Sequence, residues 1–434
     1  MSSGQRSALP EPDAEERACC VRGERACALG GWEIHMDFYR KRRLDSALCA
    51  LALLLSACLT PAAAAADAAG QEQPQTLTAA QVRQMEQTDA AVTALTTGGE
   101  YGQLSPDQRQ QAAQQQLEQL ERQGLVQPGS VYTDAENGMV SFTYSCGVLG
   151  GILLADPEEE NSPQLNLPPD EEEFTTVEQM GSAAIYYAFD NTVNSSRYPY
   201  YAYMQSYWTS VGLDTDLDTG VTVSDLKHMG DYDVCMLSAH GAYYTYQYGW
   251  LWKRQATAPI ILLTQEADFW SDLRYGGDLL NHRIIKVNGM YAVTGDFFRN
   301  AYRGGGLQDT IVLSETCEFY GRSGRMDRSM VDALLSGGAS VVVGYVNNVY
   351  SVYSRSMMWQ IVNRLLHGDT ISQAVQYGLD RYGKNDIIWY NAQGGRKPHA
   401  VASYPIISGN HSARLVPPVT ECPETVPDVT AEAA

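Results

Sequence analysis

From residue 182 onward, four apolar runs recur between helical stretches. They are "AAIYYAF" (Ala183–Phe189), "YDVCMLSAHG" (Tyr232–Gly241), "DTIVLSETCE" (Asp309–Glu318) and "ASVVVGY" (Ala339–Tyr345). Runs this short and this apolar read as strands buried on both faces, and strands separated by helices pair in parallel. The intervening segments fit: "YPYYAYMQSYWTSVG" (Tyr198–Gly212), "RSMVDALLSGG" (Arg328–Gly338) and residues 351–383 all read as helical. "GVTVSDLKHM" (Gly220–Met229) reads as a short strand and a helical turn, and "AVASYPIISG" (Ala400–Gly409) as a late strand. Between Tyr243 and Arg303 lies a long insertion of short strands and turns. The fold class expected for 182–412 is therefore α/β, with a mostly parallel sheet flanked by helices.

Upstream, "TAAQVRQMEQTDAAVTAL" (Thr78–Leu95) and "SPDQRQQAAQQQLEQLERQG" (Ser105–Gly124) read as two helices. The second has Ser105 as N-cap, Pro106 at the first helical position and Gly124 as its stop. Residues 129–154 read as a hairpin turning at Glu136–Gly138. The acidic, proline-rich stretch 155–181 reads as a linker, leaving 77–154 as a separate appendage, either a pro-segment shielding the cleft or a spacer. Residues 413–434 are Pro/Thr/Glu-rich and expected to be disordered.

The first 35 residues have no apolar period and look unlike a signal, so Met36 reads as the true start. A basic "RKRR" (Arg40–Arg43), an apolar core from Ala47 to Ala57 and small residues then follow in the order of an export signal. That core is too short to anchor the chain across a bilayer. Cys58 closes "LSAC" (Leu55–Cys58), which resembles a bacterial lipobox with Cys58 as the lipidated residue. Its place at the end of the apolar core favours lipidation over cleavage in the Ala-rich stretch behind it. Residues 59–76 read as a flexible tether. The chain is expected outside the cytoplasm, as a surface lipoprotein or secreted.

The net charge of −21 argues against nucleic acid and anionic membrane surfaces as partners, so membrane contact is expected only through a lipid anchor. Beyond Cys58 only Cys146, Cys235, Cys317 and Cys422 remain. Their wide spacing is neither a disulfide framework nor a zinc site, so no metal cofactor is expected. Calcium has one weak candidate, the acidic "DTDLDTG" (Asp214–Gly220).

Two strands end in reactive residues. "LSAH-G" puts His240 at one tip with Gly241 after it, and "LSETC-E" puts Cys317 at another. In parallel sheets ligands bind beyond the carboxyl ends of the strands. A thiol becomes a nucleophile when a histidine helps it to the thiolate, and backbone N–H groups of Gly241 and Cys317 would form an oxyanion hole. Glycine at 241 would let a substrate carbonyl approach the backbone. Cys235 lies inside its strand and reads as core.

Strand–"SAHG", strand–"LSETCE", a helix and "GGASVVVGY" together resemble the caspase-like cysteine peptidases of clan CD, over roughly 182–412. The stretch Ile311–Tyr345 is similar to the CHAT domain, departing from it by Glu315-Thr316 before the cysteine. An acidic residue two before the cysteine resembles the clostripain family, as does "IYYAFDN" (Ile185–Asn191), and that family cleaves after Arg or Lys. The resemblance implies a cysteine endopeptidase, with His240 and Cys317 catalytic and a protein or peptide substrate carrying basic residues.

In a strand, residues i and i+2 share a face, so Glu315 projects on the side of Cys317. It is the expected floor of a pocket for Arg or Lys, with Asp190 contributing, while Glu318 is expected to cap the following segment. Lys253-Arg254, in the insertion after His240, is a candidate self-cleavage site that would free the active-site entrance. Two other readings stand beside this one. A non-catalytic surface lipoprotein would bind protein partners, and a hydrolase or transferase acting on other acyl groups would not need Glu315.

Overall fold

The computed structural model describes residues 76–154, 180–189, 198–248, 253–387 and 401–417. Expectations for Cys58, Asp190, the export signal, the tether up to residue 75, the acidic linker up to residue 179 and the tail beyond 417 fall outside these residues. All the described residues fall within one compact unit. No helix among the described residues is long and apolar enough to cross a membrane.

Helix α1 (Ala79–Thr96) begins at Thr78, whose hydroxyl and Gln81 form a reciprocal capping box. Helix α2 (Pro106–Arg122) begins the same way at Ser105 with Gln108. It ends as expected at Gly124, which takes φ 76°. There Gly124 N–H bonds the Glu121 carbonyl and Leu125 N–H the Leu120 carbonyl, the paired closure that suits glycine past a helix end. Strands β1 (Tyr132–Asp134), β2 (Met139–Thr143) and β3 (Leu149–Leu153) follow.

The α/β part starts with β4 (Gly181–Tyr187), α3 (Tyr198–Ser210), β5 (Leu213–Asp218) and β6 (Val234–Ser238). The insertion supplies β7 (Gly241–Tyr248), β8 (Arg254–Glu266), α4 (Phe269–Arg274), α5 (Gly276–Leu280), β9 (Ile284–Val287), β10 (Met290–Thr294) and α6 (Gly295–Ala301). The chain then returns through β11 (Ile311–Ser314), a small hairpin of β12 (Gly321–Arg322) and β13 (Arg325–Met326), α7 (Ser329–Ser336) and β14 (Val341–Tyr345). Helices α8 (Ser351–Leu366) and α9 (Ile371–Tyr382) and strand β15 (Pro405–Gly409) complete it.

The fold is mixed α/β. A six-stranded sheet runs β5-β4-β6-β11-β14-β15, parallel but for the last strand, which is antiparallel to β14. Alternate residues feed two cores, as they must in a sheet covered on both faces. Ile185, Met236, Leu313 and Val343 pack with Tyr201 and Trp208 of α3 and Met358 of α8. Ala184, Cys235, Val312 and Val342 face Met330 and Leu334 of α7.

The early strand is displaced from its expected place. It occupies Leu213–Asp218 within the acidic run, while Gly220–Met229 holds a short helical turn at Asp225–Lys227. Strand β5 is an edge: Leu213 and Thr215 turn inward and Asp214 and Asp216 outward, a charged rim that discourages pairing with another chain.

The separate appendage is not observed. Strand β3 pairs in parallel with β9, and a seven-stranded sheet runs β1-β2-β3-β9-β10-β8-β7. Appendage and insertion therefore build one sheet between them. It curls towards closure, for Tyr244 on β7 donates its hydroxyl hydrogen to the Gly150 carbonyl on β3 at 2.9 Å. Met139, Leu149, Tyr244, Ile260, Leu262, Ile285 and Val287 fill the space it encloses. Helix α1 is tied to this sheet by a buried ion cluster: Lys286 Nζ reaches Asp89 at 2.6 Å and Asp272 at 2.7 Å.

Candidate functional site

Strands β6 and β11 are neighbours in parallel register, with Leu237 opposite Ser314. The ladder runs one step further, where Glu315 N–H donates to the Leu237 carbonyl at 3.0 Å. His240 and Cys317 each lie three residues beyond that register pair, so they leave the sheet side by side at its carboxyl edge. Strand β4, beside β6, lies where the strand order reverses, the usual place for a crevice in such sheets. Phe189 follows β4 and meets the His240 ring edge-on, with centroids 4.9 Å apart, a geometry that aromatic pairs prefer.

Gly241 belongs to this contact, for a reason different from the one expected. A β-carbon at 241 would fall 2.0 Å from the Cys317 carbonyl oxygen, so it is the cysteine's own backbone that requires glycine. Beyond Gly241 the chain enters β7, and Leu262 N–H of β8 bonds the His240 carbonyl at 2.9 Å. The histidine tip is thus braced from the curled sheet.

Cys317 is partly buried; the Val349 amide donates to its sulfur at 3.4 Å, and the thiol donates in turn to the Val349 carbonyl at 3.8 Å. Cys235 behaves as core: its thiol donates to the Met229 carbonyl at 3.0 Å, and burial pushes its pKa far up. Cys146, in the turn between β2 and β3, is likewise raised by burial.

Glu315, just past the end of β11, is 4% exposed. Its carboxylate accepts hydroxyl bonds from Tyr201 of α3, Ser238 of β6 and Ser354 of α8. Three elements therefore converge on this one side chain. Glu318 takes left-handed φ 55° and its carbonyl closes a turn to Gly321 N–H at 2.7 Å. Its buried carboxylate pairs with Arg322; burial raises its pKa against the opposing pull of that guanidinium. Glu318 shapes the turn after the cysteine, and no helix begins there to be capped.

Lys253 bonds the Gly129 carbonyl, and Arg254 opens β8 opposite Tyr248. Gly241 is seven residues back along β7. The basic pair thus lies about 23 Å from the tips, at roughly 3.3 Å per residue. It does not cover the entrance beside Cys317. A cavity of about 570 Å³ lies at this far end, lined by Glu118, Glu121, Arg122, Tyr132 and Lys253.

Among the described residues, no group of three or more His, Cys, Asp or Glu side chains could hold a metal ion. In the acidic run proposed for calcium, Asp216 accepts from the Tyr232 hydroxyl and Asp218 from Gly220 N–H. Burial, opposed by that amide and reinforced by Asp225 and Asp216, pushes Asp218 up to about 6.

Sequence reasoning missed Phe189, the three hydroxyls around Glu315 and the Val349 amide. The hydroxyls come from three separate elements, and a backbone donor leaves no mark in a sequence. Compared with known proteins, the chain matches no family model and no curated relative.

Proposed function

We propose that this chain is an exported cysteine endopeptidase of caspase-like fold that cleaves after arginine or lysine. One observation carries the reading: His240 and Cys317 each lie three residues beyond the last register pair of two neighbouring parallel strands, with Gly241 packed against the cysteine backbone. The strand order around them supports the caspase-like assignment.

The chemistry needs only these groups. His240 takes the Cys317 thiol proton, and the sulfur attacks the scissile carbonyl. N–H groups of Gly241 and Cys317 stabilise the oxyanion. The imidazolium returns its proton to the departing amine, leaving a thioester. Water, deprotonated by His240, then releases the acid and restores the thiol. Glu315, buried two residues before the cysteine, attracts a basic side chain, because a carboxylate in a low-dielectric site favours a guanidinium or ammonium partner. The export signal would carry the chain out of the cytoplasm, with Cys58 as the lipid anchor.

Fluorogenic peptides bearing Arg, Lys, Asp or Leu before the scissile bond test the scheme. Turnover after Arg or Lys should vanish in Cys317→Ala and lose its basic preference in Glu315→Gln. Cleavage after Asp or Leu by the unaltered chain would retain the dyad and refute the Glu315 pocket.

The satisfaction of Glu315 by three internal hydroxyls weighs against the basic pocket and not against the dyad; the alternative to the dyad is a non-catalytic lipoprotein that binds protein partners. Alkylation separates the two readings, since an activated thiolate reacts far faster at neutral pH than a structural thiol.

A further inference from the structure

We propose that Asp386 is a positioning residue for the reaction: it anchors the loop between β14 and α8 so that the Val349 amide stays on the Cys317 sulfur. The proposal rests on Cys317 being the nucleophile.

An N–H pointing at sulfur favours the thiolate over the thiol, because hydrogen bonds to a charged acceptor are stronger. That benefit requires the amide to be held still. Residues 346–350 have left the β14 ladder, so their backbone must be fixed by other groups. Asn347 has left-handed φ 61°, uncommon for a residue with a side chain. Its carbonyl accepts Glu318 N–H at 2.8 Å and its own N–H reaches the Gly321 carbonyl at 2.9 Å, stitching this loop to the turn after Cys317.

Asp386 secures the other end. It is fully buried, and its Oδ2 accepts the N–H of Tyr350, the residue after Val349, at 3.0 Å. Its Oδ1 accepts Ser403 N–H at 2.8 Å, and its own N–H donates to the Ser403 carbonyl at 3.1 Å. Ser403 in turn donates its hydroxyl hydrogen to the Val346 carbonyl at 2.7 Å, where the loop begins. The carboxylate thus gathers both ends of the loop while its middle carries the amide that meets the sulfur. Tyr345, at the end of β14, has its phenol pushed well up by burial, then by Tyr353, Glu315 and Asp386, so one phenol senses both carboxylates.

The test uses the full chain and the near-isosteric Asp386→Asn, which keeps the volume but leaves one of the two backbone N–H groups facing an NH₂ group. Alkylation of Cys317 by iodoacetamide is followed against pH, beside kcat and KM on a basic peptide. The expected outcome is a thiol titrating about one unit higher, with about tenfold slower alkylation at neutral pH. The fall should lie in kcat with KM kept, and Asp386→Glu should recover part of it. A lower unfolding temperature with an unchanged thiol titration and kcat would make Asp386 merely structural and overturn the proposal.

If Asp386→Asn does not fold, ¹⁵N-valine labelling of the unaltered chain decides. The Val349 amide resonance should move as Cys317 titrates and stay still in Cys317→Ser; a static resonance in both overturns the proposal. Failure of the underlying reading looks different: the unaltered chain would neither turn over peptides nor alkylate faster than a small-molecule thiol, and the proposal would fall with it.

Discussion

Gly241 and Cys317 lie backbone against backbone, so close that a β-carbon on the first would sit 2.0 Å from the carbonyl oxygen of the second. Neither strand can shift without the other, and the histidine before Gly241 shares the constraint. Gly241→Ala should therefore cost about 1–3 kcal/mol of stability through overpacking. Its effect on turnover should be larger, a loss of about 100-fold, because separating the tips by an ångström misaligns base and nucleophile. Parallel measurement of thermal unfolding and kcat checks this; a full-rate Gly241→Ala enzyme would show that the contact is unnecessary for catalysis.

Residues 77–154 should prove inseparable from the rest. Lys286, 1% exposed, keeps its proton against burial because Asp89 and Asp272 flank it, and Asp89 comes from α1. Asp89→Asn should destabilise the chain by about 2 kcal/mol, because Lys286 loses one charged hydrogen bond while keeping Asp272 as its partner. Denaturant unfolding measures that loss. A chain starting at residue 155 should be insoluble, and a soluble, active one would restore the pro-segment role.

Stability should depend on pH through Asp218. Its carboxyl is raised from 3.8 to about 6, chiefly by burial, so the folded state holds the proton more tightly than the unfolded chain. This group therefore erodes stability as pH rises from about 4 to about 6, and the deficit persists above that. Asp218→Asn should match the unaltered chain near pH 4 and melt roughly 3 °C higher at pH 7. Equal melting of the two at both pH values would contradict the assignment.

Cleavage at Lys253-Arg254, if the enzyme performs it, should be intermolecular. The pair sits at the far end of β7 and β8, about seven residues of strand from Gly241. The nick should form at a rate that rises with enzyme concentration, and Cys317→Ala should be cut when mixed with active enzyme. A concentration-independent rate would place the hairpin end within reach of its own site.

The sequence by itself determined the parallel sheet. Its strands are short apolar runs punctuated by helices, and that local pattern has one economical solution. The placing of His240 and Cys317 at neighbouring strand ends was legible for the same reason, since each closes its own apolar run. So were the caps at Ser105 and Gly124, which act over four residues. Tertiary structure decided whatever joins distant segments. The pairing of Gly150 with Lys286 spans 136 residues, and no periodicity announces it. It turned an expected appendage and an expected insertion into one curled sheet. Acidic β5 was hidden because its charges are tolerable only at an edge, and edge position belongs to the assembled sheet. The hydroxyls on Glu315 and the Val349 amide on Cys317 likewise arise from α3, β6, α8 and a loop meeting in space. A strand tip announces which atom can react; the packing around it decides how that atom is held.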